Sequence, residues 1–89
     1  MLNLAMLLEL SARRDPGKVA LILDDIKLRY AELNGAANKV ANGLVGLGVR
    51  PGDKVALMLP NTPHFVICYY AILKTGATVV RPRKYIKSL

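Results

Sequence analysis

Residue types that carry chemistry are sparse in this chain of 89 residues, and each sits in a setting that favours a structural role. His64 is the only histidine. A general base needs a group that orients it, and His64 has no carboxylate at local spacing, so in the first turn of a predicted helix it reads as solvent-facing. Cys68, the only cysteine, lies inside an apolar run without a cation to lower its pKa, which is the setting of an inert thiol. It has no partner for an internal disulfide, and no Cys/His cluster has metal-ligand spacing. Asp24 and Asp25 are a carboxylate pair by sequence, but β-rich runs on both sides make them a hairpin turn. Residues 43–48, Gly-Leu-Val-Gly-Leu-Gly, offer a Gly-x-x-Gly-x-Gly spacing. A nucleotide fingerprint follows a strand and opens a helix, whereas this stretch closes one, so packing and termination explain it better. Tyr69 and Tyr70 do not make a base-stacking platform, because adjacent helical residues point about 100° apart. On the residues alone, no catalytic, cofactor-binding or metal-binding residue is assigned.

Composition bounds the architecture. Hydrophobic residues make up 53% of the chain against 21% charged, well outside the range of disordered sequences. A chain of this size buries only roughly 60% of its unfolded surface, enough for one modest core. The net charge of +7 is uneven: Arg81, Arg83, Lys84 and Lys87 put +4 into residues 81–89, leaving +3 for residues 1–80. A solvated basic terminus accounts for that better than a specific nucleic-acid arm; weak, tail-driven association with anionic lipid or nucleic acid remains an alternative. The longest apolar run, residues 65–73, is about half of the roughly 18–20 residues that cross a bilayer. The N-terminal apolar stretch carries Arg13-Arg14 after it and Glu9 within it, which reads as a helix of the mature protein and not a signal peptide. A cytoplasmic protein without a transmembrane segment is expected.

The order of elements follows from periodicity and punctuation. Asn3 can cap a helix with Leu4, Leu7, Leu8, Leu10 and Ala12 on one face and Glu9, Arg13 and Arg14 toward water. Residues 19–23 and 26–30 read as a short β-hairpin. Leu33, Ala37, Val40, Leu44 and Leu47 recur at spacings of four, three, four and three, an amphipathic helix over residues 31–47. Pro51-Gly52-Asp53 turns the chain, with Gly52 free to take positive φ. Residues 54–59 suit a parallel strand covered on both faces, ended by Pro60. Asn61 is the expected cap of a helix over residues 64–75 that stops at Gly76, and residues 77–80 form the next strand. The expected fold class is α/β: an N-terminal helix, a hairpin, an amphipathic helix and a right-handed βαβ unit. The helix over residues 65–73 is apolar all round and wants cover on two sides. With the amphipathic helix placed across the sheet, that second cover is lacking, so self-association through this helix is expected.

Four stretches resemble the N-terminus of the adenylate-forming superfamily, the AMP-binding acyl-CoA synthetases in particular: residues 3–14, 18–21, 30–33, and 52–63 continuing through 71–77. The resemblance covers residues 2–80. It implies that residues 1–80 are the N-terminal portion of a larger domain, with 81–89 a divergent basic tail. For a full-length parent it implies ATP-dependent conversion of a fatty acid to an acyl-adenylate and then to acyl-CoA, with ATP, Mg and coenzyme A as cofactors. The Ser/Thr/Gly-rich phosphate loop of that family is absent from this sequence, so the chain itself is expected to hold none of these cofactors and to be inactive scaffold. Its expected partner is the remainder of the parent domain; the alternative is a stand-alone module that dimerises. Two departures stand out. Arg29 replaces the Ser or Thr that usually precedes the tyrosine, leaving half of a capping box with Glu32, a loss of about 1 kcal/mol. After Val80 the sequence diverges and stops, as a truncated or frameshifted reading frame would.

Overall fold

The computed structural model describes residues 3–81, so the basic tail beyond Arg81 lies outside the described residues. The elements run α1 (Leu4–Arg14), β1 (Val19–Leu23), β2 (Ile26–Arg29), α2 (Tyr30–Gly46), β3 (Lys54–Ala56), α3 (Pro63–Lys74) and β4 (Thr78–Val80), the α/β order expected. Asn3 caps α1 as its sequence position suggests, its Oδ1 accepting from the Met6 N–H at 2.9 Å. The inward face of α1 differs from expectation. Ala5 and Leu8 are buried, while Leu4, Leu7 and Leu10 are exposed. Four leucines in this helix span a wider arc than α2 and α3 cover, and the side that meets them holds Ala5 and Leu8.

β1 and β2 pair antiparallel, Leu23 opposite Ile26, around a turn at Asp24 and Asp25. Asp24 takes φ of 53°, a left-handed conformation that Asp tolerates better than most residues. The chain enters α2 through the half capping box. Glu32 Oε1 accepts from the Arg29 N–H at 2.9 Å, but a guanidinium has no acceptor to return to the helix and instead donates to the Gly17 carbonyl.

In α2 the buried residues are Leu33, Ala37 and Ala41, a strict four-residue spacing. Leu47, expected on the buried stripe, is 85% exposed because the helix has already ended at Gly46. This helix packs along α3. That placement corrects the expectation that α3 lacks a second cover. None of residues 65–73 is fully exposed. Val66, Ile67 and Tyr70 pack on a core of Leu8, Leu33 and Ala37; Phe65, Cys68 and Tyr69 pack on a second core of Leu57, Ile72 and Ala77.

β3 and β4 are parallel, with Lys54, Val55 and Ala56 opposite Thr78, Val79 and Val80. The strand is shorter than residues 54–59: one more rung, Leu57 N–H to the Val80 carbonyl at 2.9 Å, ends the pairing. Thr62, not Asn61, occupies the N-cap of α3, and Pro63 follows at its start, where its missing N–H is harmless. Burial along the sheet alternates. Val55, Leu57, Ala77 and Val79 face the helices, while Ala56, Met58, Thr78 and Val80 are exposed. The sequence reads as a strand pair covered on both faces, and one face lies open.

Candidate functional site

The residues singled out for chemistry are scattered. His64 is exposed near the start of α3, at the far end of that helix from Lys74. Cys68 is a free, half-buried thiol packed on the second core. Asp24 and Asp25 are exposed in the hairpin turn. The Tyr69 and Tyr70 rings meet edge to face, 79° apart with centroids 6.2 Å apart, and each packs on a different core. Among the described residues no group of three or more His, Cys, Asp or Glu side chains could hold a metal ion.

The glycine stretch closes α2. The N–H groups of Leu47, Gly48 and Val49 are donated to the carbonyls of Gly43, Val45 and Leu44. A phosphate needs free N–H groups at the positive end of a helix, and these donors are used up at the negative end. The glycine stretch therefore does not fit a nucleotide phosphate, and no step involving ATP, Mg or coenzyme A is assigned to it.

The side chains that do converge are Glu9 of α1 and Lys74 of α3. Lys74 Nζ donates to Glu9 Oε1 at 2.7 Å, with the lysine side chain 9% exposed and the glutamate 38%. Arg13 lies 3.8 Å from the same carboxylate. The hydrogen bond from Lys74 and its charge hold Glu9 below the ordinary carboxylate range; burial opposes this, while Arg13 and Asn34 reinforce it. The pair separates two open grooves of about 400 and 430 Å³, the first beside Met6, Leu10 and Leu73, the second beside Asn38, Asn42 and Thr75. A carboxylate and an ammonium engaged with each other are neither a free base nor a free nucleophile; their work here is to pin α1 to the end of α3. Sequence reading placed Glu9 toward water and Lys74 as a helix-end charge. No local signal joins residues 65 positions apart.

Because the Glu9 pKa is lower folded than unfolded, its contribution is present above the unfolded value of about 4.5 and is lost as pH falls through the folded value. Glu9→Gln is expected to cost about 1 kcal/mol at neutral pH, held to that size by the solvent around the carboxylate, and to flatten the acid limb of stability below pH ~5. Lys74→Met added to Glu9→Gln should recover part of the loss, because a largely buried ammonium no longer lacks its counter-charge. Urea unfolding at a series of pH values measures both effects.

Comparison with known proteins bears on the whole frame, not on this pair alone. Residues 8–82 match the family described as AMP-binding enzyme. Triostin synthetase I of Streptomyces triostinicus is 46% identical over 74 residues, covering 83% of this chain and 14% of that protein. The long-chain-fatty-acid–CoA ligase FadD13 of Mycobacterium tuberculosis (strain ATCC 25618 / H37Rv) is 41% identical over 56 residues, covering 63% of this chain and 11% of the ligase. The N-terminal subdomain of Klebsiella oxytoca NpsA superposes with a TM-score of 0.86 at 29% identity, over 98% of this chain and 24% of that one. The chain thus spans a small part of the length of the proteins it resembles. The hairpin, the α2–α3 packing and the β3–α3–β4 unit lie within the stretch that superposes on the NpsA subdomain, and the chain belongs to the AMP-binding enzyme family.

Proposed function

We propose that this chain is the structural N-terminal portion of an enzyme that uses ATP to convert a carboxylic acid into an acyl-adenylate, and that it contributes scaffold instead of reacting groups. The observation that carries this reading is the open outer face of the β3–β4 pair. Strands as apolar as residues 55–59 and 77–80, interrupted only by Thr78, belong to sheets covered on both sides, and an isolated two-stranded parallel sheet is not a stable unit. Ala56, Met58 and Val80 on that face, with Leu59 beyond it, are a surface for further protein. The remainder of the parent domain is the partner proposed for it.

For the parent's reaction we favour acyl-CoA formation from a fatty acid, supported by the match to FadD13, a long-chain-fatty-acid–CoA ligase. The match to Triostin synthetase I supports a second reading, in which the parent is a synthetase other than a CoA ligase. Both share the adenylation step.

The isolated 89-residue chain is expected to catalyse no exchange of pyrophosphate into ATP with fatty acids or amino acids, at any level above a heat-denatured control. Acid-dependent exchange by the purified chain would overturn the scaffold reading.

A further inference from the structure

We propose that the outward face of α1 docks on an anionic lipid surface. The helix turns Ala5 and Leu8 inward and leaves Met6, Leu7 and Leu10 exposed, at 47%, 42% and 53%. At about 100° per residue these three share their arc with Arg14, and Arg13 flanks it next to Met6. The only acid on α1, Glu9, is drawn to the side by Lys74. Arg13 and Arg14 touch Glu9 and Asp15 at 3.8 and 3.1 Å, yet their side chains are 76% and 80% exposed, which leaves guanidinium donors free for phosphate. Lys18, in the loop after α1, is exposed as well. A short helix with an acid-free apolar arc and basic residues on and beside it has the chemistry of an element that lies in the plane of a bilayer surface, apolar side chains among the acyl chains and cations at the headgroups.

A second copy of this chain fits the face less well. The arc is one side of three helical turns, a few hundred Å² at most, against roughly 800 Å² per partner in a stable interface. Met6, Leu10 and Arg13 border the groove shared with Leu73 and Lys74, and Leu7 borders the groove beside Ala20, Leu21 and Tyr70. A protein partner would need acids placed opposite Arg13 and Arg14, whereas an anionic lipid surface offers phosphates across the whole face.

Flotation of the full chain with phosphatidylcholine vesicles, with and without phosphatidylserine, tests the proposal. The chain is expected to float with the anionic vesicles and about tenfold less with neutral ones. Leu10→Glu should lower anionic binding about tenfold while urea unfolding changes little, since that side chain is 53% exposed and belongs to neither core. Arg13→Gln with Arg14→Gln should weaken binding to anionic vesicles and leave the residual binding to neutral ones alone. A variant of the 89-residue chain with Arg83, Lys84 and Lys87 changed to Gln should still float. Failure of the unaltered chain to float, full binding by Leu10→Glu, or loss of binding on neutralising only those three residues would overturn the proposal, the last assigning the effect to the basic tail.

Discussion

Gly76→Ala is expected to destabilise the chain by about 3 kcal/mol, a large share of the stability of so small a domain. Two effects add. Gly76 follows α3 with φ of +83°, and a side chain in that conformation costs roughly 1–2 kcal/mol. A Cβ at this position would also stand 3.1 Å from Pro51 Cβ and 3.3 Å from Pro51 Cα. The proline ring and its backbone have little room to give, because the Gly52 N–H is bonded to the Gly76 carbonyl at 3.0 Å across the same junction. Gly52→Ala supplies the control. Its φ of +88° is equally unfavourable, but the space beside it is open, so only the conformational part of the cost, about 1–2 kcal/mol, is expected. Urea midpoints of the two variants measured together decide the matter: equal losses would show that the Pro51 contact contributes nothing.

Ile72→Ala is the second large effect. Ile72 is 2% exposed on the face of α3 that meets Leu57 and Ala77, so its truncation leaves a cavity where helix and sheet meet. Losses of about 2–5 kcal/mol are usual for such a change, comparable to the whole stability available to a single small core. Thermal unfolding followed by circular dichroism should lose its cooperative transition or shift far downward. Leu47→Ala, at a residue 85% exposed, is expected to move the midpoint by less than about 0.5 kcal/mol. If both variants behaved alike, the assignment of the second core would be wrong.

The sequence by itself determined the elements, because their signals are local. Asn3 caps α1, Asp24 and Asp25 turn the hairpin, Gly52 and Gly76 take positive φ, and Pro60 and Pro63 bracket the entry to α3. The order of these elements, with residues 52–63 and 71–77, was also enough for the family resemblance that the match over residues 8–82 bears out. The half capping box was legible too, since arginine has no acceptor for a helix N–H whatever surrounds it.

Tertiary structure decided which face of each element is buried and which distant residues meet. Periodicity marks an apolar arc but does not say how much of it neighbours will cover: α1 carries more leucine than its contacts can hide, and α2 buries a four-residue row ending at Ala41 instead of reaching Leu47. Packing of α2 along α3, not across the sheet, gave α3 the cover that its sequence demands and left the outer face of β3–β4 bare. The Glu9–Lys74 pair was invisible for the same reason. Local rules see a few residues of chain, and a contact between α1 and the end of α3 exists only once the chain has folded back on itself.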